Sequence, residues 1–185
     1  VHDAIDYQFL CADSELAIEI RNGRDNSLVL VEVEKEEDEP LGLSFESALM
    51  SRQRECATKC QFCFLDQVPK GMRDTLYFKD DDWRMSFLQG NFVTLTNISD
   101  EELKRIISRR VSPLYISVHT TEPDLRAGLL GQPRGAKLME QLKKLHDAGL
   151  SFHAQMVLCP TVNDGVHLER SLQDLYALMP HVLSL

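Results

Sequence analysis

The sequence predicts an α/β fold: a parallel sheet forming a partial (β/α) barrel of about four strand–helix units, preceded by a small β-rich piece. Three observations predict it. From residue 41 onward, short β-forming runs alternate with helical periodicities, the rhythm of βαβ units. Residues 1–34 instead carry two alternating strands about a turn signal. Between the two lies an acidic run of Glu32, Glu34, Lys35, Glu36, Glu37, Asp38 and Glu39, closed by Pro40, which reads as a solvated linker.

Each element follows from local pattern. Residues 6–10 predict a short helix. Residues 16–21 place Leu16, Ile18 and Ile20 on one face and Glu19 and Arg21 on the other, as a half-buried strand does. Asn22-Gly23 signals a hairpin turn, lengthened by residues 24–27, and residues 28–34 alternate again through Val29, Val31 and Val33. Residues 43–46 predict a short strand leading into a cysteine-rich loop, and residues 92–96 a strand rich in β-formers. Ser99 with Glu102 forms a capping box, opening a helix to Arg110 with Leu103, Ile106 and Ile107 in register. Residues 114–119 predict the next strand. A helix over 136–148 follows, with Leu138, Leu142 and Leu145 in register and Gly149 as its stop. Residues 152–158 are another strand. Residues 164–179 form a helix through Leu168, Leu172 and Leu175, ended by Pro180, and residues 181–185 open a further strand. The start at Val1 and the stop inside that strand signal predict a fragment, inactive alone, with domains at 1–36 and 37–185.

Composition excludes several classes. Hydrophobic residues make up 43% and charged residues 26% of the 185, which is ordinary globular usage and excludes wholesale disorder. A net charge of −9 argues against nucleic-acid binding through a basic surface. No apolar run reaches the roughly 18 residues of a membrane span, and no signal peptide opens the chain. Five cysteines, an odd number without an export signal, point to a reducing, cytoplasmic compartment rather than a disulfide framework.

Three of those cysteines, Cys56, Cys60 and Cys63, fall within eight residues. Arg52, Arg54 and Lys59 beside them would favour the thiolate form, in which sulfur binds metal. Spacings of four and three suit one side of a cubane iron–sulfur cluster, with no fourth ligand nearby. The competing reading is a zinc knuckle, although no second Cys pair exists and the nearest downstream His is His119. Cys11 and Cys159 are isolated and read as core. Asp80, Asp81 and Asp82 read as a solvated turn or the acidic start of a helix, with a magnesium site as the alternative.

Strand parity adds a cavity. Val93 and Leu95, then Leu114, Ile116 and Val118, then Ala154, Met156 and Leu158 suit a helix layer. The opposite faces carry Thr94, Thr96, Ser117, His119, His153 and Gln155, too polar for a dry barrel interior. They predict a polar ligand site at the C-terminal strand ends.

The cysteine loop, with Phe62 before its third Cys, resembles that of the radical S-adenosylmethionine (SAM) superfamily. The strings over residues 60–73, 76–84, 86–97, 112–121 and 157–165 resemble one bacterial subfamily in particular. Its members have a PDZ-like N-terminal domain, a radical SAM core and a C-terminal DUF512 part. On that resemblance residues 1–36 are the C-terminal half of the PDZ-like domain with the start of an acidic linker. Residues 37–185 are then a truncated TIM-like barrel of the radical SAM type, and DUF512 is absent. The resemblance implies a [4Fe–4S] cluster on Cys56, Cys60 and Cys63, SAM as second cofactor, and a reductant protein such as a flavodoxin or ferredoxin. It implies an oxidoreductase that cleaves SAM reductively to a 5′-deoxyadenosyl radical and abstracts hydrogen from a substrate. Phe62 would pack on adenine, Thr96, Asn97, Ser117 and Gln155 would contact SAM, and His119 would face the substrate as a catalytic residue. The sequence departs from the superfamily where Leu95-Thr96-Asn97 replaces Gly-Gly-Glu, which holds the SAM amino group. Two other classes compete: an iron–sulfur electron-transfer or cluster-carrying module, and a PDZ-like interaction scaffold.

Overall fold

Leu114, Ile116 and Val118 are each 1% exposed or less, and around this one strand face the core is built. A computed structural model describes residues 1–47 and 49–185. The chain divides into two compact units, Val1–Arg52 and Gln53–Leu185.

In the first unit, Asp3 caps helix α1 (Ala4–Leu10) by accepting from the amides of Ile5 and Asp6. Strands β1 (Glu15–Arg21) and β2 (Leu28–Glu34) pair antiparallel, with Ile18 opposite Val31 and Ile20 opposite Val29. The expected hairpin is therefore present. The acidic run is not simply a linker. Glu32 and Glu34 belong to β2, and the Lys35 and Asp38 amides donate to the Ser14 and Ala12 carbonyls. The expected strand at 43–46 does not form: Leu43 and Phe45 stay exposed, and among the described residues no ladder partner lies beside them.

In the second unit, helices α2 (Trp83–Gln89) and α3 (Asp100–Ser108) precede strand β3 (Leu114–Ser117). Helix α4 (Pro123–Leu130), a 3-10 turn and helix α5 (Leu138–Asp147) lead to β4 (Phe152–Gln155), and α6 (Val166–Tyr176) leads to β5 (Val182–Ser184). The sheet runs β3-β4-β5, with both pairings parallel, and Tyr115 faces His153 while Ser117 faces Gln155. Val93 extends it on the β3 side by a parallel bridge to Ile116, giving its amide to Tyr115 and accepting from Ser117. The alternation of strands and helices is thus as expected, with each element shorter.

The α3 capping box forms as expected, Ser99 and Glu102 each accepting the other's backbone amide. Leu103, Ile106, Leu138, Leu142 and Leu145 are all buried. Burying each such side chain stabilises the fold by roughly 1.5–3 kcal/mol before chain entropy is counted. The expected strand over 92–96 shortens to a single bridge because Leu95 takes a left-handed φ of 60°. Parity therefore fails after Thr94. Leu172, expected on the buried face of its helix, is 43% exposed. The helices α2 and α4, not foreseen from periodicity, complete the unit. Among the described residues, no helix is long and apolar enough to cross a membrane.

Candidate functional site

The cysteine loop is placed by hydrogen bonds rather than by regular structure. Glu55 and Asp80 form an antiparallel bridge, so that residues 54–56 run against residues 79–81. The Cys56 amide donates to the Lys79 carbonyl at 2.7 Å, and the Asp81 amide to the Arg54 carbonyl. Further along, the Lys59 amide donates to the Leu130 carbonyl at 2.8 Å. The Thr58 hydroxyl stands between two thiols, 3.0 Å from Cys56 Sγ and 3.2 Å from Cys60 Sγ. The Cys63 amide closes a turn onto the Cys60 carbonyl and leads into a 3-10 turn at Phe64–Gln67.

All three cysteines line one cavity of about 520 Å³, a volume typical of small-molecule sites. Its other wall is the C-terminal end of the sheet: Thr94, Ser117, His119 and Gln155. Phe62, Phe64, Phe78 and Phe92 supply aromatic surface, and Lys79, Asp80 and Asn91 polar rim. The strand-parity reading thus locates four of its six polar residues. His153 shares the face but sits one step toward the N-terminal end, stacked on Tyr115 at 4.5 Å and bonded to Ser184. Thr96 turns back after the left-handed Leu95, and its hydroxyl meets that of Thr94 at 2.8 Å. Asn97 also lies off the cavity wall, donating to the Asp81 carbonyl with its own Oδ1 buried and unpartnered.

His119 is 4% exposed and left-handed, with φ at 63°. Its Nδ1 accepts the Val157 amide at 3.1 Å. An amide can only donate, so the ring is neutral there and carries its proton on Nε2. Burial, with Arg126 nearby, lowers its pKa to about 4. The ring lies against Phe62, centroids 4.7 Å apart. His119 is therefore built as a fixed N–H donor and not as a general base.

The Asp80–Asp82 run is the acidic start of α2, one of the two readings expected, with Asp81 and Asp82 buried and Asp80 half-buried rather than in a solvated turn. Asp80 accepts from Gln53, Asn91 and the Asp82 amide. Asp81 accepts the Thr94 amide at 2.5 Å and its hydroxyl at 2.7 Å. Asp82 caps α2 and pairs with Arg84 while accepting the Arg54 amide. These donors satisfy the carboxylates internally, which leaves little of the run for a magnesium ion. Burial raises the Asp81 pKa to about 6 despite its Thr94 bonds.

One of the loop's expected cations is committed elsewhere. Arg54 is tied to Glu102 and to the Asn97 carbonyl. Burial pushes the Cys56 and Cys60 thiols up, and the cation that opposes this at Cys60 is Arg126. No local sequence signal marks Arg126, and its partners are backbone carbonyls. Cys11 and Cys159 are half-buried, not core.

Residues 35–185 match the sequence pattern of a family described as the radical SAM-like domain. The chain belongs to this family. No curated protein matches the chain. For this member of the radical SAM-like family, the match covers the whole of the second unit and so every residue of the cavity wall.

Proposed function

We propose that the chain is the core of a radical SAM enzyme in which Cys56, Cys60 and Cys63 hold a [4Fe–4S] cluster and the cavity receives SAM and substrate. One observation carries this reading: three thiols of a single loop share a cavity wall with the polar strand ends. The donor set fits the cluster. The thiols are soft ligands, and all three line the same cavity, Cys56 and Cys60 each within hydrogen-bond reach of the Thr58 hydroxyl. Three thiols on one loop with no second Cys pair suit a cluster better than the zinc alternative, which prefers paired CxxC units. When bound, such a cluster supplies the electron that cleaves the SAM sulfonium bond to methionine and a hydrogen-abstracting 5′-deoxyadenosyl radical.

The chain's own residues bind and shield. Phe62 offers a ring face to adenine, and Ser117 and Gln155 offer hydrogen bonds to SAM. His119 presents Nε2–H to an acceptor on the ligand. Thr96 and Asn97, expected at SAM, act one layer back by shaping the Asp81–Thr94 corner. With Gly-Gly-Glu absent, Asp80 is the one carboxylate lining the cavity among the described residues, and a ligand ammonium there would share it with Gln53, Asn91 and the Asp82 amide. The parallel order of Val93, β3, β4 and β5 supports a partial barrel of TIM type, and the hairpin supports a PDZ-like first unit, with DUF512 following in the subfamily. A flavodoxin or ferredoxin would supply electrons in the cytoplasm.

The test is anaerobic reconstitution of the intact protein with iron and sulfide, then reduction. A [4Fe–4S]⁺ paramagnetic signal should appear, shift on adding SAM, and be followed by release of 5′-deoxyadenosine. Alanine at Cys56, Cys60 or Cys63 should abolish the product, whereas serine at Cys11 or Cys159 should spare it. A fully loaded protein whose signal ignores SAM and which releases no 5′-deoxyadenosine overturns the reading.

A further inference from the structure

A buried cation that the proposed chemistry does not use lies beneath the cavity. Arg126, in the second turn of α4, is 1% exposed. Its guanidinium donates to four carbonyls: Nε to Val118, Nη1 to Gly135, and Nη2 to Thr94 and Ser117, at 2.7–2.9 Å. Thr94 and Ser117 are the strand-end residues on the cavity wall. Left-handed turns at Leu95 and His119 take the chain out of the ladder just beyond them. One planar fork thus satisfies carbonyls that sheet pairing leaves over, and fixes α4 to the strand ends.

The other end of the same helix touches the cysteine loop. The Leu130 carbonyl, in the last turn of α4, accepts the Lys59 amide at 2.8 Å. Gly131 follows at a φ of +57°, and a Cβ there would lie 3.1 Å from Lys59 Cβ and 3.2 Å from the Lys59 carbonyl oxygen. Backbone conformation and close approach both demand glycine. Lys59 is the residue between Thr58 and Cys60, at the middle of the thiol loop.

From these contacts we infer that α4 is the seat of the cysteine loop, with Arg126 and Gly131 as positioning residues that set where the three thiols stand. The inference rests on the cluster reading for its purpose but not for its geometry. The helix supplies its own control. Gly128, three residues earlier in α4, would meet nothing within 4 Å if given a Cβ.

The experiment compares Gly131→Ala with Gly128→Ala in the intact protein. Hydrogen exchange of the Lys59 amide is followed without metal, and iron incorporation after reconstitution is measured separately. Gly131→Ala should speed Lys59 exchange about fivefold to tenfold and reduce bound iron to about half or less, with Leu142 and other core amides unchanged. Gly128→Ala should change neither. Arg126→Lys, which keeps charge but cannot fork over four carbonyls, should speed Lys59 exchange as well. Unchanged Lys59 exchange in Gly131→Ala, or an equal effect of Gly128→Ala, overturns the seat. Absence of iron uptake by the unaltered protein would instead count against the cluster, and Lys59 exchange would still decide the seat.

Discussion

Two stretches of the second unit are held together by different physics. Residues 83–185 rest on a continuous apolar core from Trp83 to Val182. Residues 53–82 contain no fully buried apolar side chain; their buried residues are Thr58, Asp81 and Asp82. The first stretch is fixed by the removal of apolar surface from water, a non-directional force that tolerates small displacements. The second is fixed by directional bonds: Cys56 to Lys79, Lys59 to Leu130, Asp81 to Thr94, Asp82 to Arg84. The three thiols are thus carried on the directionally held part, and the apolar part provides the frame and the opposite cavity wall.

The largest effect expected from this contrast is on global stability. Leu142→Ala, at a fully buried site of α5, should cost about 2–5 kcal/mol in urea unfolding. Phe64→Ala, on the loop stretch and 75% exposed, should change it by no more than about 0.5 kcal/mol. Similar losses from the two would erase the distinction.

A middle-sized effect separates the two stretches by pH. Asp81 binds its proton more readily folded than unfolded, so it adds stability below pH 3.8 that is lost as pH rises through about 6. His119 binds its proton less readily when folded, so it adds stability above pH 6.5 that is lost as pH falls through about 4. Each contributes about 3 kcal/mol over an overlapping window, in opposite senses. Asp81→Asn removes one slope only. Acidification from pH 6.5 to 4 should therefore cost the variant about 2 kcal/mol more than the parent, measured by urea unfolding at stepped pH. Parallel pH profiles would show that Asp81 is not held in its buried, proton-retaining state.

The smallest effect lies at the joint between the stretches. Ser99→Ala removes half of the α3 capping box and should cost about 1 kcal/mol. It should also loosen Glu102, which Arg54 grips from the loop side. Calorimetry of Ser99→Ala, Arg54→Ala and the double variant should show the two losses to be less than additive. Strict additivity would mean that the frame and the loop are not coupled there.

Legibility in the sequence divides along the same line. Leu103, Ile106, Leu138, Leu142 and Leu145 were placed by a 3.6-residue period, and Val93, Leu114 and Ile116 by alternation, because apolar burial leaves a periodic trace. Ser117 and Gln155 were legible for the same reason, as the polar face of strands whose other face is apolar. Thr96 and His153 were misplaced because alternation reports the face and not the position along the strand or a left-handed break. Helix α2 is only seven residues long, and α4 has no strong apolar face, so neither leaves a clear period. The acidic run at Asp80–Asp82 looks solvated in sequence because its partners, Thr94, Asn91 and Gln53, lie outside it and signal nothing individually.

The contact between Lys59 and Gly131 also sets a clock. Roughly seventy residues separate the thiol loop from its seat, and a ribosome adds about 5–20 residues per second. The three cysteines therefore emerge about 4–14 s before α4 is available to receive them. During that interval they are thiols on an unseated segment, open to oxidation or to stray metal. On the proposed cluster reading, iron and sulfide are best delivered late, after α4 has been synthesised and Arg126 has closed over the strand ends.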